Sequence, residues 1–335
     1  MGGSDYGGGP GRWQRLGRVY DPAAHNRAWA PTHACVPTAL LREDGRAIRV
    51  YHAPRNSRGQ SLPTYFDVAA DDPTRLLHMA EAPIMDLGER GCFDDGGIMP
   101  CSALRRGREV WLYYVGWNPS VSVPYRNAVG LAISAGDGAP FRRAHRGAVV
   151  DRTADEPFFT ASPEAFGLPD GRLAMVYASG TGFVDGARGP EPLYRLCAAT
   201  SDDGHAWRRD GRPILPARHD REATARATVV PSRGRAGFDM WYTHRGSDDF
   251  RDGADAYRIG YAQSPDGLRW TRADHAAGIA VAADGWDSTM LTYPSVVDVG
   301  PERYLFYNGN GFGRTGIGVA RWMGPEPDPN PPTAR

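Results

Sequence analysis

Val110-Trp111-Leu112-Tyr113-Tyr114, followed by Leu173-Ala174-Met175-Val176-Tyr177, decides the fold of this chain, because the phrase recurs five times at nearly constant spacing. Its other copies are Ile48-Arg49-Val50-Tyr51, Phe238-Asp239-Met240-Trp241-Tyr242 and Tyr304-Leu305-Phe306-Tyr307. The closing tyrosines, at 51, 114, 177, 242 and 307, stand 63, 63, 65 and 65 residues apart. Upstream of each, a proline opens another apolar run: Pro37, Pro100, Pro163, Pro231 and Pro294, at offsets of 14, 14, 14, 11 and 13. Proline there predicts the first residue of a strand, where no ladder donor is needed.

Downstream lies a third phrase, Ala128-Val129-Gly130-Leu131-Ala132-Ile133, matched by runs starting at Leu193 and Tyr257. Each reaches a serine, an Asp-Gly turn and an aromatic, as in Ser201 to Trp207 and Ser264 to Trp270. Asp-Gly between alternating runs is a hairpin signal. Each repeat therefore reads as a four-stranded antiparallel meander that cannot bury both faces alone, and five of them pack radially. The expected fold is all-β, a five-bladed β-propeller of four-stranded blades. Blade boundaries fall near residues 30, 90, 152, 217 and 283. Trp13 to Tyr20 is expected to close the ring beside Gly316 to Trp322. One domain spans 13–322, with a disordered 1–12 and a Pro-rich tail at 323–335. Two packed β-sandwiches would not repeat so evenly.

Composition agrees. Of 335 residues 41% are hydrophobic, enough for a sizeable core, while 42 Gly and 28 Pro suit many short strands and turns. The 39 basic residues balance the 39 acidic ones, which argues against nucleic acid or an anionic membrane as partner. All the basic residues are Arg, so Schiff-base and P-loop chemistry are excluded. Cys35, Cys92, Cys101 and Cys197 form no C-x-x-C pair and predict free thiols. No apolar run follows the Gly-rich start, so a cytoplasmic location is expected.

In such a meander the start of the first strand and the end of the second share one edge, so all five blades bring these points to one mouth. Segments entering the first strands carry His33, Asp94, Asp95, Asp155, Glu156, Glu222 and Asp287. Those leaving the second carry Arg55, Asn56, Trp117, Asn118, His244, Arg245, Asn308 and Asn310, with Arg226 and Tyr293 nearby. Carboxylates that accept hydroxyls, interleaved with tryptophan and amides, describe a pocket for a small sugar. Each acid has a plainer reading as a turn cap, and each arginine as its neutraliser.

With these features the chain resembles, over residues 13–322, the five-bladed β-propeller glycosidases, the group containing arabinanases, invertases and levansucrases. Phe93-Asp94-Asp95-Gly96-Gly97, Glu156-Pro157-Phe158-Phe159 and Tyr307-Asn308-Gly309-Asn310-Gly311 look like a branch of it. The resemblance implies a carboxylate on the first blade as base or nucleophile, an acid on the third as stabiliser and a Glu on the fourth as general acid. By position, Glu222 would be the acid and Glu156 or Asp155 the stabiliser. The first blade has His33-Ala34-Cys35-Val36 instead of an acid, so the base would come from Asp95 or Asp94.

The leading expectation is thus a glycoside-active, inverting enzyme without a cofactor, acting on a small sugar or sugar-containing metabolite. The alternatives are a propeller that binds glycans without turnover, and a lyase, isomerase or cyclase using a divalent metal held by His33, His244 and nearby carboxylates.

Overall fold

The computed structural model describes residues 11–25, 27–186 and 188–324. Among them, twenty strands form five four-stranded antiparallel sheets. Blade I is β2 (Thr32–Leu41), β3 (Ala47–Arg55), β4 (Thr64–Ala69) and β5 (Leu76–Met79). Blade II is β6 (Gly97–Arg106), β7 (Glu109–Pro119), β8 (Tyr125–Ser134) and β9 (Arg142–Arg143). Blade III is β10 (Thr160–Gly167), β11 (Leu173–Gly186), β12 (Gly189–Ser201) and β13 (Arg208–Pro213). Blade IV is β14 (Ala223–Pro231), β15 (Phe238–Arg245), β16 (Arg258–Ser264) and β17 (Thr271–Arg272). Blade V is β18 (Thr292–Val299), β19 (Glu302–Asn308) and β20 (Ile317–Trp322), and its outer strand is β1 (Trp13–Tyr20), paired from Trp13 opposite Trp322 to Tyr20 opposite Ile317.

The chain therefore folds as the five-bladed propeller that the repeat predicts. Arg12 and Met323 join the closure, the Met323 N–H donating to the Arg12 carbonyl at 2.9 Å. The rest of the expected disordered start and Pro-rich tail, 1–10 and 325–335, lies outside the described residues. No helix among the described residues is long and apolar enough to cross a membrane.

The core lies between sheets, as stacked two-faced sheets require. Val176, Leu196, Ala227, Met240 and Tyr242 join blades III and IV in one cluster, and Ile48, Val50, Phe66, Phe306 and Val319 join blades V and I in another. The serine and Asp-Gly turns brace the outer edges. Ser201 Oγ accepts the Gly204 N–H at 2.8 Å and Trp207 Nε1 donates to the Gly204 carbonyl; Ser264, Gly267 and Trp270 repeat the arrangement.

The repeated prolines sit elsewhere than expected. Every inner strand shifts register partway along, for example between Cys35 and Thr38 in β2 and between Thr292 and Ser295 in β18. Val36, Ser162 and Tyr293 have φ of 58°, 50° and 56° at these bulges, and each precedes its proline. Pro37, Pro163 and Pro294 thus lie inside strands, where a bulge removes the need for a ladder N–H. In blade IV the bulge is at Arg226, φ 42°, followed by Ala227; Pro231 merely ends β14, which explains its odd offset.

Arg226 ties blade IV to blades I and III. Its guanidinium, 1% exposed, reaches across the ring to the Pro37 carbonyl at 2.9 Å and Thr38 Oγ1 at 3.2 Å, and pairs with Glu164 of blade III at 3.5 Å.

Candidate functional site

The acids that stand out in the sequence are held inside the blades. Asp94, leading into β6, accepts the Tyr114 hydroxyl at 3.0 Å and pairs with Arg143 of the outer strand at 2.8 Å. Glu156 does the same with Tyr177, at 2.8 Å, and Arg209 of blade III. Asp287 takes Tyr307 at 3.0 Å and Arg15 of the closing strand at 2.9 Å. In blade IV Tyr242 donates to Asp274, while Arg272 bridges Asp274 at 2.8 Å and Glu222 at 2.7 Å. Four of the five repeated tyrosines thus belong to an acid, phenol and guanidinium clasp: in blades II, III and V the carboxylate entering the inner strand takes both the phenol and the outer-strand arginine, and in blade IV Arg272 of the outer strand links Glu222 to the Asp274 that holds the phenol.

Cross-strand register explains which blades have the clasp. Opposite Tyr114, Tyr242 and Tyr307 stand Gly130, Gly260 and Gly318, and opposite Tyr177 stands Cys197. These small residues let the phenol lie across the third strand toward the arginine. Blade I puts Tyr65 opposite Tyr51, and no carboxylate takes that hydroxyl among the described hydrogen bonds.

Glu222, Asp94, Glu156 and Asp287 are nearly inaccessible and are absent from the wall of the central cavity. Burial would raise the Glu222 carboxyl, but hydrogen bonds and charge from Arg272 and Arg218 override it and hold it down at about 2. All four precede the inner strands and are buried within the blades. Glu222, Glu156 and Asp94, expected as acid, stabiliser and base, thus stand outside the cavity wall: Glu222 meets Arg218 and Arg272, Glu156 meets Tyr177 and Arg209, and Asp94 meets Tyr114 and Arg143 through Oδ2 alone, its buried Oδ1 having no partner. Asp95 accepts the Gly91 N–H at 2.7 Å in a turn, and Asp155 is exposed.

Other expected contacts are also structural. Asn308 accepts the Val36 N–H and donates to the Ala34 and Gly316 carbonyls. Asn310 accepts the N–H groups of Thr289 and Met290, Asn56 pairs with Gln60 within its turn, and Asn118 donates to the Cys92 carbonyl. Arg226 is buried against Pro37 and Glu164 and is absent from the cavity wall. His33 is lowered to about 4 by burial and the charges of Arg55 and Arg314, and His244 to about 4 by burial and Arg218. Guanidinium neighbours oppose metal ligation, and no group of three His, Cys, Asp or Glu among the described residues is placed to hold an ion.

The cavity itself, about 360 Å³, is lined by residues of all five blades. Of the residues expected at the mouth, Arg55, Trp117, Arg245 and Tyr293 line it. The rest of its chemistry comes from segments the repeat does not mark: Glu191 and Tyr194 on the long β11–β12 hairpin, Tyr125 and Asn127 starting β8, Tyr257 before β16, and Phe250, Arg251 and Phe312 on loops. The signal for Glu191 was the pair of glycines at 186 and 189, a turn in a hairpin projecting beyond the repeat.

Glu191 is the one carboxylate in the described wall, and Arg251 Nη2 grips both its oxygens, at 2.8 and 2.9 Å. The Tyr194 and Tyr257 hydroxyls touch each other, and Arg245 Nε donates to both, at 3.0 and 3.2 Å. Burial, reinforced by Tyr194 and opposed by Arg245, raises the Tyr257 phenol well above its ordinary value. Burial likewise raises Tyr125 and Tyr293. The cavity thus offers protonated phenols, one carboxylate and aromatic faces. The four cysteines are unpaired, and Cys101 in the wall is pushed up to about 11 by burial.

No family model matches the chain. Among solved structures, one described as a glycoside hydrolase superposes with a TM-score of 0.72 at 16% identity, covering 93% of this chain and 92% of that one. A structure described under the GH130 family of mannoside phosphorylases, containing hydrolases that target β-1,2 mannosidic linkages in Candida mannan, gives 0.64 at 16% over 98% and 99%. A thermostable family-43 glycoside hydrolase gives 0.63 at 15% over 92% and 99%. At such identities the likeness establishes the shared five-bladed fold. The uncharacterized proteins MT1551 and Rv1502 of Mycobacterium tuberculosis, from strains CDC 1551 and H37Rv, are each 35% identical over 309 residues, 92% of this chain and 98% of theirs. At that identity over nearly the whole of both sequences, the chain belongs to the family of MT1551 and Rv1502.

Proposed function

We propose that the protein is a glycoside-active enzyme whose reaction centre is the axial cavity, with Glu191 as its carboxylate. The observation carrying this reading is the meeting of Glu191 with the Tyr194 and Tyr257 phenols and the Trp117 face in one enclosed wall. Trp117 offers a stacking surface for a sugar ring, its Nε1 anchored 3.3 Å from Ser61 Oγ. Glu191 accepts a proton from a water that attacks the anomeric carbon, the glycosidic bond breaks, and Tyr257 protonates the departing oxygen. Arg245 then stabilises the phenolate. The sharing of this fold with glycoside hydrolases and phosphorylases supports the class of chemistry.

One observation favours a second reading, glycan binding without turnover: the described wall holds a single carboxylate where glycosidases ordinarily use two. Assay of an aryl glycoside panel with wild type, Glu191→Gln and Glu222→Gln separates them. The enzymatic reading expects turnover that Glu191→Gln abolishes with folding intact, whereas Glu222→Gln lowers stability first. Binding of glycosides with no turnover by wild type would establish the second reading in its place.

A further inference from the structure

The charges lining the cavity do not cancel. Arg55, Arg245 and Arg251 face the single carboxylate of Glu191, which leaves two positive charges in a partly enclosed space. Arg251 is matched by Glu191 through both oxygens. Arg245 has no carboxylate, but its donors are used: Nε on the two phenols, Nη1 on the Gly246 carbonyl and Ser247 Oγ, and Nη2 on the Pro192 carbonyl. Its charge also rests 3.9 Å from the centre of the Phe250 ring.

Arg55 is different. It ends β3 half-buried in the cavity wall, and no ion pair or side-chain hydrogen bond to a carboxylate or carbonyl holds its guanidinium among the described residues. Its polar neighbours are the Cys35 thiol and His33, and Arg314 adds a second guanidinium acting on the same imidazole. Beside it the wall carries Ser61 and Asn127, whose buried Oδ1 has no partner. The wall here therefore holds a guanidinium charge with no carboxylate beside it, together with an unpaired acceptor on Asn127. The planar fork of a guanidinium is complementary to a pair of oxyanion oxygens, while the unpaired Asn127 Oδ1 can accept a hydroxyl of the same ligand.

We propose that Arg55 seats an oxyanion of the ligand, so that the substrate class is a sugar carrying a carboxylate or phosphoryl group. The proposal rests on the reading of the cavity as the sugar site. Arg55 binds the charged substituent at the blade I wall, which leaves Glu191 and the phenols to face the glycosidic bond from blades III and IV.

Calorimetric titration with methyl glucuronide, glucose-6-phosphate, methyl glucoside and inorganic phosphate tests it, in wild type, Arg55→Gln, Arg55→Lys and the exposed control Arg58→Gln. The expected result is that one anionic sugar binds at least about tenfold tighter than methyl glucoside, with affinity falling as salt rises. Arg55→Gln should erase that preference, Arg55→Lys should restore part of it and Arg58→Gln should leave it unchanged. The preferred anionic sugar distinguishes carboxylate from phosphoryl. Equal binding of methyl glucoside and the anionic sugars, unaffected by Arg55→Gln, would overturn the proposal while leaving the sugar site standing. Binding of inorganic phosphate alone, lost in Arg55→Gln, would keep the anion seat and overturn the sugar reading. No binding of any of the four would overturn both. If Arg55→Gln fails to fold, the salt dependence of wild type and the affinity of Arg55→Lys carry the same decision.

Discussion

Tyr114 and Gly130 stand directly opposite each other in β7 and β8, and a Cβ built on Gly130 would lie 2.2 Å from the Tyr114 ring carbon Cζ. The absent side chain is therefore the space through which the phenol reaches Asp94. Gly130→Ala should force the ring aside and cost about 1–3 kcal/mol, as overpacking does. Gly138→Ala, with no atom within 4 Å of the added carbon, should cost far less. Urea unfolding of both compares them, and equal midpoints would show that the ring yields freely.

Glu156 and Arg209 form a deeply buried clasp, with side chains 3% and 9% exposed. Glu156→Ala strands that guanidinium and should cost about 3–5 kcal/mol. Tyr177→Phe removes one hydrogen bond to a charged acceptor, about 1.5–3 kcal/mol. Replacing the adjacent exposed Asp155 by Ala should change stability by no more than about 0.5 kcal/mol. Denaturant titration of the three variants reads the order directly.

Acid sensitivity should have two opposing parts. Burial pushes Glu164 up to about 7 despite Arg226, so between its ordinary value of 4.5 and 7 the folded state binds the extra proton. Its contribution weakens as pH rises through that window, on the order of 3 kcal/mol in all. Glu222, held at about 2, contributes fully above 4.5 and loses that contribution as pH falls toward 2. Melting temperature against pH should therefore flatten in Glu164→Gln relative to wild type between 4.5 and 7. Parallel curves would mean that Glu164 titrates normally.

If Tyr257 protonates the departing group, Tyr257→Phe should slow substrates with poor leaving groups by about 10²–10⁴. Activated aryl glycosides should be slowed much less. A uniform loss across leaving groups would instead assign Tyr257 to binding, and a larger loss in Tyr194→Phe would move the role to its neighbour.

The blade number was legible because stacking five like units demands the same apolar phrase in each, and Tyr51 through Tyr307 record that demand. The clasp was not, because acids and arginines far apart in sequence look alike whether they face ligand or one another. Asp94 and Glu156 were conspicuous for a scaffolding reason. Glu191 was inconspicuous because it sits where blade III departs from the repeat, on a hairpin longer than its counterparts. Arg55, Trp117 and Arg245 line the cavity because the ends of the second strands meet at the axis, whereas Tyr293 reaches it from a bulge that the sequence does not mark. The prolines were misplaced for want of one fact, that the inner strands are bulged.

The pairing of β1 with β20 has a kinetic consequence. Blades I to IV are each built from one continuous stretch of chain and can form in order as it emerges. The last sheet cannot, because its outer strand is made first and its neighbour about three hundred residues later. Until then β1 remains an unpaired edge, and Arg15 lacks Asp287. Completion of the ring is thus a single late, long-range event, so a chain interrupted before Ile317 would display two strand edges open to wrong partners.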